Sequence, residues 1–242
     1  MRKSIAAAAL IAALAATAAC SHSNAEDAGP TTSRSYNVGN FQQIEVAGPY
    51  NVEVRTGSNI GVSATGNEKL LDHTRVEVHG NRLQIGPEKS HNWFGGWKSS
   101  GSAKFVITVP QLTGASIGGS GDIQVDRVQA PNFEGNIGGS GTLSVAALEV
   151  QTLKLNIGGS GGIKAGAGKA QIADYSIGGS GSVDAGAVAV DQLKVNVAGS
   201  GNVRAHATGS ADVNVVGSGD VEIAGGAKCK VNKMGSGDVR CS

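Results

Sequence analysis

The sequence carries no excess of charge: 20 Lys and Arg stand against 19 Asp and Glu, a formal +1. Such a balance offers no electrostatic footprint for nucleic acid or for an anionic membrane surface. After residue 20 there is no run of apolar residues at 3.6-residue spacing, which excludes a helical bundle. Aromatics are scarce, at 4%, and cysteine is limited to three residues. Glycine is abundant, with 38 residues, but follows no G-X-Y period and has no proline-rich background, so a collagen-like fibre is excluded. What remains is a β-rich chain punctuated by turns.

The first twenty residues read "MRKSIAAAALIAALAATAAC". Arg2 and Lys3 precede a short apolar stretch, Ile5–Ala16, and then small residues, the pattern of an export signal over residues 1–19. The stretch is too short and too Ala-rich to span a bilayer comfortably. Thr17-Ala18-Ala19-Cys20 resembles a lipobox, which would make Cys20 the lipidated N-terminus of a membrane-anchored lipoprotein. The other reading is ordinary cleavage, for instance after Ala18 or Ala25. Either way the mature protein is predicted outside the cytoplasm, in the outer membrane or periplasm. Residues 20–35 lack large apolar side chains apart from the signal's end and read as a flexible tether.

Residues 116–241 contain a recurring block: IGGSGDIQV, IGGSGTLSV, IGGSGGIKA, IGGSGSVDA, VAGSGNVRA, VVGSGDVEI and KMGSGDVRC. Each is preceded by Ser or Asn, at Ser116, Asn136, Asn156, Ser176, Asn196, Asn214 and Asn232. The spacing is 20 residues as far as Asn196 and then 18 twice, the mark of a solenoid. Within a unit apolar residues alternate: Leu153, Leu155 and Ile157 enter the turn, Ile163 and Ala165 leave it. Period-two alternation predicts short strands with one buried face, stacked in parallel at about 4.8 Å per coil.

Stacking in register would place equivalent outward residues above one another, where like charges repel. One such column reads Glu134, Lys154, Asp174, Lys194, Asp212, Lys230, and another Lys164, Asp184, Arg204, Glu222, Arg240. The sign alternates at every step of both. Each exposed pair contributes only about 0–1 kcal/mol, so the columns act on register more than on stability. The Asn/Ser column predicts amides hydrogen-bonded along the axis.

Upstream, "VAGPYNVEV" (46–54) aligns with IGGSGDIQV position by position, while "NEKLLDHT" (67–74) reads as an inserted helical turn. Residues 36–242 are accordingly read as one solenoid domain with irregular N-terminal coils. Cys229 and Cys241 occupy inward positions of the last coil, placed for a disulfide that clips it shut, two free thiols being the alternative. Cys20 is then the odd thiol. Lys233, also at an inward position, predicts a solvated end, and open coil ends permit self-association.

The search for chemistry finds little. GGSGD at 118–122 departs from calcium-binding nonapeptides in both the place of its acid and its period. The GSG turns lack the following helix and the Lys-Ser/Thr pair of a phosphate loop. His73, His79, His91 and His206 are dispersed without metal-ligand spacing, and no Ser-His-acid triad is recognisable. No catalytic residue, metal or cofactor is predicted. The one irregular candidate is the loop "PEKSHNWFGGWKSSGSA" (87–103), where Trp93, Phe94 and Trp97 either stack on a surface glycan or protein partner or fold back over the solenoid.

"FQQIEVAGPYNVEV", "RVEVHGNRLQI", "FVITVPQLTGASIGGSGDI" and the serial GSG turns together resemble the putative auto-transporter adhesin, head GIN domain family of bacterial envelope proteins, over roughly residues 38–223. The resemblance implies a right-handed β-helix-like fold and a surface or periplasmic role, and it supplies no catalytic residues. The expectation is therefore an all-β protein, a right-handed parallel β-helix or β-solenoid with coils of 18–20 residues, presented for adhesion or scaffolding. The alternative expectation is a polysaccharide-binding or polysaccharide-active envelope protein that uses the outer sheet or the tryptophan loop.

Overall fold

A computed structural model describes residues 30–88 and 102–242. The N-terminal part contains β1 (Thr31–Tyr36), β2 (Gln43–Val46), β3 (Tyr50–Thr56), β4 (Gly61–Asn67), α1 (Glu68–Asp72), β5 (Thr74–His79), β6 (Arg82–Pro87) and β7 (Ala103–Val109). The repeats follow as β8 (Gly114–Ile117), β9 (Asp122–Ile137), β10 (Thr142–Ile157), β11 (Gly162–Gly179), β12 (Ser182–Gly199), β13 (Asn202–Gly217), β14 (Val221–Ala224), β15 (Lys228–Met234) and β16 (Val239–Cys241). From β8 onward the chain winds about six turns of a β-solenoid, each coil pairing in parallel with the next.

The ladder register follows the sequence period. Thr142 pairs with Gly162 and Ile157 with Ile177, 20 residues on. Asn202 lies opposite Ser182, and Ser210 opposite Lys228 across an 18-residue coil. The two residues lost from the shorter coils are absorbed by register shifts between Ala185 and Ala189 and between Val190 and Gln192. Both alternating charge columns stack step by step as read from the sequence.

Each coil has three buried faces, one more than the strand–turn–strand reading supplies. In β10 the inward residues are Leu143 and Val145, then Leu148 and Val150, then Leu153, Leu155 and Ile157. Alternation breaks at 146–147 and 151–152, where two successive residues face outward and the chain turns a corner without leaving the ladder. The GGSG segment is the third corner. Its amides are spent on the coil before: Ser160 N–H donates to Gly139 O at 3.0 Å and Gly158 N–H to Ile137 O at 2.7 Å. Turns thus stack as tightly as strands, leaving these amides no freedom to cradle an anion.

Aromatic residues enter the core where neighbours shrink. Tyr175 is fully buried in β11, the coil that has Ala165, Gly168, Ala170 and Ala173 at other inward positions. Phe133 sits beside Gly135, where a Cβ would lie 2.8 Å from Leu143 Cδ2.

The N-terminal part corrects two expectations. The coil "VAGPYNVEV" does form, with Val46 opposite Ile117, and Val52 and Val54 opposite Ile123 and Val125. But β6 and β7 stack on the outer side of β2 and β3 instead of following them toward the repeats. β5 then returns antiparallel to β6, and β4 and β1 continue antiparallel from β7, so this region is a mixed sheet and not a run of irregular coils. The predicted tether ends early, because Thr31–Tyr36 is an edge strand. Its side chains are half-buried on one face, and Tyr36 stacks 6.3 Å from Phe105, while β-branched threonine suits a strand that covers little core. The inserted helical turn is α1, capped by Asn67, whose side chain accepts from Leu70 N–H at 3.0 Å. It buries Leu70 and Leu71 at the end of the core.

Candidate functional site

Cys20, Trp93, Phe94 and Trp97 lie outside the described residues. Cys229 and Cys241 are joined by a disulfide, their Cα atoms 6.6 Å apart. Lys233 stands opposite Val215 at an inward position, and its ammonium donates to Gly237 O at 2.7 Å across the last coil. Reduction of the disulfide is expected to lower the stability of that coil by about 2–3 kcal/mol, the loop-closure value for a short loop. Hydrogen exchange should then quicken over residues 225–241 and stay unchanged in β9–β12. Equal protection with and without reductant would refute this.

The acidic column beside the turns resolves into backbone caps. Asp122 Oδ1 accepts from Thr142 N–H at 2.8 Å, and Asp220 Oδ1 from Asp238 N–H at 2.8 Å. Asp238 also lies 3.6 Å from Arg240, and Glu222 lies 3.4 Å from Arg204. These carboxylates are occupied coil to coil, and among the described residues no three His, Cys, Asp or Glu side chains gather as a metal site would need. The Glu53 carboxyl is held below its ordinary range first by Lys104 on the adjacent β7 and then by Arg55, two residues on in β3 itself.

The Asn column is a side-chain ladder. Asn156 Nδ2 donates to Asn136 Oδ1 at 2.9 Å, Asn214 to Asn196 at 3.2 Å, and Asn232 to Asn214 at 3.0 Å. Where Ser176 interrupts it, Asp174 Oδ1 takes over as acceptor, from Ser176 Oγ at 3.3 Å and Asn196 Nδ2 at 3.5 Å. The amides of this column are directed at one another and are not offered to a ligand.

Concave surface occurs along the sides. One groove of about 650 Å³ runs over the second corner of successive coils, between Gln111 and Asp191, past Gln129, Gln151 and Gln171. A second, of about 580 Å³, follows the first corner between Glu53 and Asp184. A smaller one of about 400 Å³, between Arg127 and Gly168, joins them across the middle face. Lateral grooves could not be found by motif, because each lining residue comes from a different coil. The only sequence trace of the first is glutamine at 151 and 171, one period apart.

Comparison with known proteins bears on this surface. A crystal structure of a putative adhesin from Bacteroides fragilis is similar at a TM-score of 0.80 and 25% identity, over 88% of this chain and 97% of that one. A putative lipid-binding protein from Parabacteroides distasonis (TM-score 0.69, 23% identity) and a putative adhesin from Parabacteroides merdae (0.68, 18%) share the fold over 88% of this chain and 97% of each of theirs. No functionally curated protein matches the sequence. The family model described as putative auto-transporter adhesin, head GIN domain, matches residues 40–227. The adhesin description implies a place in the cell envelope or outside the cell. With that match spanning most of the 242 residues, and a solenoid shared with crystallised adhesins, the chain belongs to the head GIN domain family of putative auto-transporter adhesins.

Proposed function

We propose that this chain is a non-catalytic, exported protein of the bacterial cell envelope, lipid-anchored through Cys20, that presents its solenoid as a rigid adhesive or scaffolding surface. The observation that carries the reading is how the solenoid uses its polar groups. Arg204 bridging Asp184 and Glu222, the Asn ladder and the Asp caps link neighbouring coils, so among the described residues these polar side chains stiffen a rod instead of converging on a reacting centre. Repeats that contact only their neighbours form an extended lateral surface, the usual binding element of such architectures. The anchor is supported by cysteine usage: Cys229 and Cys241 are bonded to each other, which leaves Cys20, directly after Thr17-Ala18-Ala19, as the third.

The test is protease shaving of whole cells that carry a C-terminal epitope on the protein. Loss of the epitope from intact cells supports surface presentation, while protection until the outer membrane is opened would replace adhesion by a periplasmic scaffold. In the same cells Cys20→Ala is expected to move the protein from the membrane to the soluble fraction. Continued membrane partition would overturn the lipid anchor.

A further inference from the structure

We infer that the groove along the second corner of the solenoid binds an uncharged polysaccharide lying parallel to the solenoid axis, an inference that rests on the adhesive reading and names what would be held. Four observations converge on it.

The floor of the groove is a column of core residues that reach its surface slightly. Ala130, Val150 and Ala170 stack in one inward column and keep 8, 7 and 6% exposure. The next inward column, Phe133, Leu153 and Ala173, keeps 1% or less. The floor is a narrow apolar strip suited to the C–H faces of sugar rings.

The walls carry amides. Gln111 is fixed from two sides, accepting from Gln42 Nε2 at 3.3 Å and donating to Gln129 O at 3.3 Å. Gln151 and Gln171 follow on successive coils, and neither side chain bonds to another described residue. The contrast with the Asn ladder is direct: there each amide is consumed by the next, here the amides of Gln151 and Gln171 stand free beside an apolar strip. Each glutamine offers two N–H donors and a carbonyl, the complement of vicinal hydroxyls.

Charge is largely neutralised within the groove. Glu149 and Lys169 pair at 2.8 Å on its rim, which leaves Asp191 at one end as the unpaired ion. An anionic polymer would meet a carboxylate with no cation free to receive it, so a neutral chain is favoured.

Spacing selects the polymer. Equivalent side chains recur at about 4.8 Å along the axis, close to the rise of a linked pyranose chain, whereas an extended peptide advances about 3.3 Å per residue and would fall out of step within two coils. A cleft of about 650 Å³ is within the range of small-ligand sites and accommodates a few sugar rings. Without an aromatic platform each ring contributes little, so affinity must accumulate over several coils.

The purified exported protein is tested on an array of uncharged and anionic glycans and then titrated with oligosaccharides of increasing length from the best hit. Saturable binding to an uncharged glycan is expected, rising at least tenfold between two and four sugar residues and then levelling. Gln151→Ala/Gln171→Ala should weaken it at least tenfold with the thermal midpoint unchanged, while Lys164→Ala on the neighbouring groove leaves it unaltered. No binding to any uncharged glycan, a preference for anionic ones, or equal binding by the glutamine variant would each overturn the inference. Because the measurement is made on isolated protein, its failure leaves the shaving result standing, and failure of surface presentation leaves the binding result standing.

Discussion

Gly161→Ala is expected to destabilise the protein by about 3 kcal/mol, the upper part of the usual cost of overpacking. Gly161 closes the GGSG corner between β10 and β11, where its N–H donates to Gly139 O at 3.0 Å. A Cβ there would lie 2.5 Å from Gly141 O and 2.7 Å from Ile137 Cγ2, both in the preceding coil. The obstructing carbonyl belongs to a stacked backbone and cannot swing aside as a flexible side chain could. Gly161 has no left-handed φ, so the cost comes from contact alone. At Gly199, with φ +131°, both penalties combine and alanine should be worse. Ser160→Ala is the control: the serine is exposed and should change stability by less than about 0.5 kcal/mol. Urea unfolding with an unchanged slope measures the difference. Less than about 1 kcal/mol for Gly161→Ala would mean that the corners are not stacked as closely as described.

Opposite effects are expected from two changes at Tyr175. Tyr175→Ala should cost about 3–5 kcal/mol, since the ring is fully buried and fills the room left by Ala165, Gly168, Ala170 and Ala173. Tyr175→Phe should instead stabilise by about 1 kcal/mol, because the phenol is buried without a hydrogen-bond partner and its removal relieves a desolvation cost. The same hydroxyl predicts a pH dependence. Burial raises the Tyr175 pKa above its ordinary value, and burial also leads the upward shifts of Tyr50 and Tyr36. The folded state then holds protons that the unfolded state releases from about pH 10 upward. Stability is therefore full below that pH and falls as pH rises beyond it, and Tyr175→Phe should reduce the steepness of the fall. A Phe variant less stable than the parent at neutral pH, with an unchanged alkaline slope, would show that the hydroxyl has a partner.

The alternating columns Glu134–Lys230 and Lys164–Arg240 were legible in the linear sequence because a fixed period turns axial neighbours into residues 20 or 18 apart. The hairpin of β5 and β6 also has a signal in the sequence. Gly80-Asn81 between "RVEVH" and "RLQI" is a two-residue turn signal, with Gly80 at φ +61°, but alternation suits a coil and a hairpin strand equally. Residues 31–35 read as tether in the sequence because an edge strand needs only one half-buried face, which leaves little apolar pattern to find. The third face of each coil was hidden at 146–147 and 151–152, where the chain turns by exposing two residues in succession and has no glycine signal to mark it.

The sequence by itself determined the stack: its period, its register, the charge and amide columns and the glycine corners are local patterns that recur, and recurrence needs no knowledge of distant contacts. Only the tertiary structure decided what closes the N-terminal end and what lies open along the side. β7 pairs with β3 at a separation of 53 residues, Val52 opposite Phe105 and Val54 opposite Ile107, a choice made by which edges remain free. The glutamine groove exists because Gln111, Gln129, Gln151 and Gln171 come from separate coils and flank the column Ala130–Val150–Ala170, which reaches the surface only slightly. Such surfaces depend on the depth between corners, a property of the packed rod and of no single segment.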